Sequence, residues 1–188
     1  MNAIPALDQS QMGQRIPEYR MWVALCMQLG IQTYVELGSG AAHVIHRAGM
    51  PICLSIDINN ESGPLHNPHR DRGVTYLAGD SHDPATVARA LQFLGGPPDC
   101  VFIDADHDYL PVRADFNLWW PVATRLVGFH DILIPDVRRL WEEICLNIPH
   151  GSVEIIGRDY ASARSWQGPG APADGRLSGG GIGILFKE

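Results

Sequence analysis

Four consecutive hydrophobic residues, Cys100-Val101-Phe102-Ile103, stop abruptly at Asp104-Ala105-Asp106-His107-Asp108-Tyr109. An unbroken apolar run lacks the inward and outward alternation of a half-exposed strand, so it fits a parallel strand covered on both faces. In open α/β sheets, ligands sit beyond the carboxyl ends of such strands. Three carboxylates, an imidazole and a phenol at that end mark an edge suited to a metal, a proton or a substrate hydroxyl. A second polar edge, His130-Asp131, follows the next apolar run at 126–129.

The rest of the chain supplies the elements that such a strand needs around it. Pro17 and Gly30 bracket a helix over 17–29 that carries Trp22, Val23, Cys26, Met27 and Leu29 at near-helical spacing. Residues 33–37 read as a buried strand, and 41–48 as the helix after a glycine turn. Second and third strands at 52–56 and 74–78 finish on Asp57 and on Gly79-Asp80. Asp83-Pro84 forms an N-cap and first helical position, opening a helix that closes at Leu94 before the breaker Gly95-Gly96-Pro97-Pro98. After the strand to Ile103, Asp108 is placed to cap a helix with Val112, Phe116, Trp119 and Trp120, ended by Pro121. Pro135 then opens a helix whose Val137, Leu140, Trp141 and Ile144 share one face.

Two last strands, 153–156 and 182–186, are separated by a Gly/Pro-rich stretch over 157–181 with no helix signal, so they pair antiparallel. The stretch is too long for an ordinary turn and is either a lid or unstructured. The expected architecture is α/β: a doubly wound, mostly parallel seven-stranded sheet with an antiparallel C-terminal strand. A single domain over 1–188 is expected, with 1–30 as N-terminal segment and helix.

Its 188 residues, 45% hydrophobic and 19% charged, suit one globular core. A net charge of −7 argues against nucleic acid, whose phosphates call for clustered Lys and Arg. The N-terminus lacks signal-peptide features and no run approaches the roughly 20 apolar residues of a membrane span, so a cytoplasmic protein without membrane partners is expected. Cys26, Cys53, Cys100 and Cys145 stand apart in apolar contexts without a CxxC, which fits buried reduced thiols. The apolar face of the first helix covers its own sheet or leaves room for a homodimer.

The first turn, Glu36-Leu37-Gly38-Ser39-Gly40-Ala41-Ala42-His43, lets a ligand approach the backbone closely. A dinucleotide fingerprint wants a third glycine where His43 stands, and Glu36 would repel a pyrophosphate. Asp57 can accept both hydroxyls of a ribose, and Asp80-Ser81 adds another carboxylate to the same crevice. Three carboxylates there suit an adenosine with a positively charged appendage.

With these residues in view, the chain resembles the class I S-adenosylmethionine-dependent methyltransferases over nearly its whole length. VELGSGA is similar to their glycine-rich first motif, SIDI to the ribose-binding acidic motif and AGDSHD to the adenine-side motif. DCVFIDADHDYLPVRADFNLW, followed by GFHDI and VRRLWEEI, resembles small bacterial methyltransferases of the FIDGDHSY type (methyltransferase family 24). Ala42 departs from the third glycine that many members carry. The resemblance implies S-adenosylmethionine held by Glu36, Gly38, Ser39, Gly40, Asp57, Ile58, Asp80 and Ser81, with Asp104 nearest the reactive end.

Methyl transfer to a hydroxyl needs alignment and loss of the acceptor's proton. Asp104 and Asp131 are expected as ligands of a divalent metal, Mg²⁺ or Mn²⁺, with His130 either a third ligand or a base. His107 is the second candidate base, and Asp106 has no assigned role. His66 and His69 read as solvated, while Tyr109, Trp166 and the segment 12–19 are candidates to cover a small acceptor, their positions not fixed by the sequence. The expected reaction is O-methylation of a small hydroxylated molecule. Rival readings are an NAD(P)-dependent oxidoreductase, a nucleotide-binding protein without turnover, and a metal-dependent hydrolase that leaves Asp57 and Asp80 unexplained.

Overall fold

The computed structural model describes residues 16–38, 50–58, 74–148, 151–156 and 180–187. The anticipated helix at 41–48, Ala42, His43, Ser39, Gly40, His66, His69, Trp166 and most of 157–181 lie outside them. Seven strands form one sheet: β1 (Thr33–Leu37), β2 (Ile52–Asp57), β3 (Val74–Ala78), β4 (Cys100–Ile103), β5 (Leu126–His130), β6 (Ser152–Ile155) and β7 (Ile182–Phe186). Among the described residues four helices accompany them: α1 (Ile16–Gln28), α2 (Pro84–Leu94), α3 (Tyr109–Trp119) and α4 (Pro135–Asn147).

The strand order is β3-β2-β1-β4-β5-β7-β6. Strands β1 to β5 pair in parallel, whereas β7 lies antiparallel between β5 and β6. The order in which strands are added to the sheet reverses between the parallel neighbours β1 and β4, so the crevice at this switch point opens beyond Leu37 and Ile103.

Alternation along the central strands divides the core in two. Val35, Leu37, Leu54, Ile56, Val101, Ile103, Val127 and Phe129 face α2, α3 and α4, through Val87, Ala90, Val112, Phe116, Trp119, Val137, Leu140, Trp141 and Ile144. Tyr34, Cys53, Cys100, Phe102 and Leu126 face α1, through Tyr19, Trp22, Val23 and Cys26. Both layers are apolar because each strand is covered on both sides. Trp22 sits so close over β5 that a Cβ on Gly128 would lie 2.8 Å from its ring, and Trp22 Nε1 donates to the Tyr34 hydroxyl at 3.0 Å.

Met27 departs from its expected place on the buried face of α1; it is exposed, and Cys26 takes the inward position. Cys145 is exposed as well, while the other three thiols are buried. Burial pushes Cys53 up to about 12 and Cys100 well above the ordinary thiol value, so these groups stay protonated.

Asp83 caps α2 by accepting from Ala85 N at 2.9 Å, with Pro84 at the first helical position. Asp83→Ala is expected to cost about 1 kcal/mol in urea unfolding; an unchanged midpoint would show that the cap bond contributes nothing.

Candidate active site

The pairing of β1 with β4 sets the site's geometry from its far end. Asp99 Oδ2 accepts from Gln32 N and Thr33 N at 2.7 and 3.1 Å, and Asp99 N donates to Thr33 Oγ1 at 2.8 Å. These bonds fix a register in which Glu36 is opposite Phe102, and Phe102 opposite Gly128. Side chains two residues apart share a face. Glu36, Asp104 and His130 therefore all project to the α1 side of the sheet, Asp104 one step beyond β4 and His130 on the last residue of β5.

Glu36 is fully buried. Its charge helps raise the Tyr34 phenol well above its usual value, behind the larger effect of burial. The loops after β1 and β4 touch at the backbone. Gly38 has φ +79° and a Cβ there would stand 2.6 Å from Ala105 N, with Ala105 Cα and the Asp104 carbonyl closer still. Gly38 N donates to Ile56 O at 2.8 Å and Asp104 N to Leu37 O at 3.0 Å, tying three strand ends together.

Four polar side chains converge next to this crossing. His130 Nδ1 lies 2.9 Å from Asp104 Oδ1 and 3.3 Å from Asp131 Oδ2. His107 Nε2 lies 2.8 Å from the same Asp131 oxygen and 3.9 Å from Asp104 Oδ1. His130 is buried and packs on Phe102, ring centroids 6.2 Å apart, while His107 stands at the more open rim. Asp131 adopts φ +57°, in the left-handed region that Asp tolerates better than most residues. Bonds from Ile132 N and Leu133 N to the Gly181 and Gly180 carbonyls hold the backbone that follows it.

Electrostatics follow from these contacts. Burial works against a charged His130, but Asp104 and Asp131 outweigh it and hold its pKa well above the ordinary histidine value. For Asp131, burial would raise the pKa, yet the two imidazoles hold it well below the usual carboxylate range. The Asp131 carboxylate 2.8 Å away raises the pKa of His107.

The donor chemistry also suits a divalent cation. One ligand atom from each of Asp104, His107, His130 and Asp131 falls within 4.8 Å of all the others. Neighbouring ligands of an octahedral ion with bonds of about 2.1 Å stand roughly 3.0 Å apart. The separations of 2.8, 2.9 and 3.3 Å match that spacing, and 3.9 Å is the long side.

Toward the other end of the crevice, Asp57 closes β2 and its carbonyl accepts from Gly79 N at 3.1 Å, while Ile58 is exposed. Asp80 Oδ1 accepts from His82 N at 2.9 Å. Ser81 is nearly buried, and its carbonyl accepts from Trp119 Nε1 at 3.0 Å. His82, inside the AGDSHD motif, and the buried Asp115 join this turn, and the sequence assigns neither a role. Asp115 occupies an ordinary apolar position of α3, and a carboxylate there in the FNLW context is the one signal that was available.

One expectation at the β4 edge is corrected. Asp108 holds the N-cap position of α3 but its side chain makes no capping bond. Asp106, without a role in the sequence, supplies the turn by accepting from His107 N at 2.7 Å and Asp108 N at 2.9 Å. Tyr109, a candidate cover for an acceptor, is tied to the neighbouring helix. Its hydroxyl donates to Glu143 and accepts from Arg113 Nη1 at 2.8 Å, and Arg139 stacks 4.2 Å over its ring, so the phenol joins α3 to α4.

Known structures share this architecture. The O-methyltransferase from Bacillus cereus, solved in complex with SAH, is 14% identical with a TM-score of 0.62 over 98% of this chain and 84% of that one. The O-methyltransferase TomG from Streptomyces achromogenes, involved in tomaymycin synthesis and solved with SAM, is 15% identical with a TM-score of 0.60 over 93% and 81%. The MycE methyltransferase of the mycinamycin pathway, solved with Mg and SAH, is 16% identical with a TM-score of 0.56 over 88% of this chain but 47% of its own. At these identities the likeness establishes a Rossmann-like methyltransferase fold. No curated protein matches the chain. A family model described as a methyltransferase domain matches residues 35–132. That match covers just over half the chain, from β1 to beyond the His130-Asp131 edge, and the chain belongs to this methyltransferase family.

Proposed function

We propose that this protein transfers a methyl group from S-adenosylmethionine to a hydroxyl of a small molecule, with a divalent cation such as Mg²⁺ or Mn²⁺ at the Asp104, His130 and Asp131 edge. The observation that carries this reading is the convergence of those three side chains beside the Gly38–Ala105 crossing. Glu36, Gly38, Ser39, Gly40, Asp57, Ile58, Asp80 and Ser81 are the proposed donor-binding residues, with Asp104 nearest the sulfonium. The relatives solved with SAM, SAH and Mg support the assignment of donor and ion by analogy of fold. No helix among the described residues is long and apolar enough to cross a membrane; a cytoplasmic location and a small-molecule partner are parts of the proposal.

The displacement at the sulfonium carbon runs in line, so the chain's first task is to hold acceptor oxygen and methyl group in register. Its second is to take the acceptor's proton. His107 suits that role: its Nε2 stands 2.8 Å from the Asp131 carboxylate, a contact that orients the ring, and the imidazole lies at the more open rim. Asp131 thus orients one imidazole while its neighbour His130 stays buried against Asp104. A bound divalent cation would lower the hydroxyl's pKa and fix the oxygen's position. The imidazoles must shed their protons to ligate, so cation binding and proton release are linked.

The pairing of His107 with Asp131 and of His130 with Asp104 also suits proton transfer by a carboxylate-oriented imidazole, and a route with a histidine base and no metal is the second reading these contacts favour. Calorimetry with S-adenosylhomocysteine and with NADH, followed by methyl-transfer assays on a panel of small alcohols, phenols and sugars with and without Mn²⁺, separates the alternatives. Binding of the sulfur nucleotide and Mn²⁺-stimulated methylation are expected. Binding of NADH alone would replace the proposal with the oxidoreductase, and donor binding with no methylated product in the whole panel would favour a protein without turnover.

A further inference from the structure

Helix α3 carries a carboxylate where its pattern calls for an apolar side chain. Val112, Phe116 and Trp119 fill the core, and Asp115 among them has no exposed surface. Neither of its oxygens makes a full hydrogen bond among the described residues. Two groups approach it: His82, whose Nε2 stands 3.4 Å from Oδ2, and the Ser81 side chain. Beyond the ring, His82 Nδ1 is 3.5 Å from Asp80 Oδ1. These are the titratable and charged groups that act on Asp115, with Asp80 the more distant.

A carboxylate so thinly satisfied weakens the fold. Burial, opposed by Ser81 and His82, pushes Asp115 up to about 6. For an acid raised in the folded state, the penalty is absent below the unfolded value near 4 and fully present above 6. A core group that costs stability at neutral pH points to a use outside packing.

That use is visible in what α3 holds. Asp115 faces the His82 ring, and one helical turn later Trp119 Nε1 donates to the Ser81 carbonyl at 3.0 Å. The turn is closed from within by Asp80 Oδ1, which accepts from His82 N at 2.9 Å. Residues 80–82 are thereby gripped at a side chain and at a carbonyl, while Asp80 itself stays half exposed. We propose that Asp115 is a positioning residue for the adenosine-binding turn, acting through the His82 imidazole to fix the orientation in which Asp80 and Ser81 meet the methyl donor. The inference rests on the reading that Asp80 and Ser81 contact that adenosine.

Two variants test it. Asp115→Asn keeps the shape and removes the charge; His82→Gln keeps hydrogen-bonding groups and removes the imidazole. Calorimetry with S-adenosylhomocysteine and thermal unfolding are run on the full chain at neutral pH. Asp115→Asn is expected to unfold several degrees higher yet bind about tenfold more weakly, the scale of one charge-assisted contact. His82→Gln is expected to show the same loss of affinity, and the double variant no further loss, because the two act as one unit. The KM for the donor rises while kcat at saturating donor is retained.

A purely structural Asp115 would move stability and leave the affinity alone. Affinity within about twofold of wild type in both single variants overturns the proposal, and His82→Gln decides alone if Asp115→Asn does not fold. Failure of the wild-type chain to bind S-adenosylhomocysteine is a separate result, which removes the donor reading before any variant is compared.

Discussion

Replacing Asp131 by Asn is expected to lower methyl transfer on the order of a thousandfold while S-adenosylhomocysteine binding stays within about twofold of wild type. Asn tolerates the left-handed backbone that Asp131 adopts at φ +57°, so the turn after β5 keeps its path. What goes is the charge that faces both imidazoles, His107 at 2.8 Å and His130 at 3.3 Å. The proposed base loses its orienting partner and the proposed cation site loses a carboxylate in the same step. Single-turnover transfer to an acceptor from the panel reads the first loss, and a Mn²⁺ titration followed by electron paramagnetic resonance reads the second. Asp131→Ala adds the strain of an alanine in the left-handed region, about 1 kcal/mol. Transfer within a few-fold of wild type in Asp131→Asn would sink the catalytic role of this edge.

The strands were legible because burial on both faces leaves an apolar signature that survives without tertiary information. Residues 100–103 and 182–186 read as strands from composition alone and adopt those bounds. The acid-ended edges were legible for the related reason that a charge directly after such a run has nowhere to be except the carboxyl end of the sheet. What the sequence did not carry was direction within a turn. Asp108 holds the N-cap position of α3 without a capping bond, and it is Asp106, with no role on paper, whose carboxylate meets two consecutive N–H groups of the turn before the helix. Partnerships across long separations were invisible for the same reason. Tyr109 finds Glu143 across two helices, and Asp115 meets His82 only because α3 packs under the β3–α2 turn. His107 as a fourth donor needed the fold as well, since its ring reaches Asp131 from a different loop.

Gly38→Ala tests whether the site depends on the crossing of the β1 and β4 loops. An alanine Cβ would overlap Ala105 Cα and the Asp104 carbonyl, and would stand 2.6 Å from Ala105 N. All three atoms are backbone, so no rotamer change relieves the clash, and φ +79° adds the left-handed penalty. Overpacking and strain together predict a loss of about 3 kcal/mol, a fall in Tm of roughly 10 °C for a chain of this size. Relief is available only by moving the Asp104–Ala105 backbone away from β1, and that breaks the bond from Asp104 N to Leu37 O. Asp104 then leaves His130, so donor binding and the catalytic edge fail together, unlike in Asp131→Asn, where binding survives. A Gly38→Ala protein with wild-type Tm and wild-type S-adenosylhomocysteine affinity would show that the two loops separate freely, and that the convergence at Asp104 does not depend on their contact.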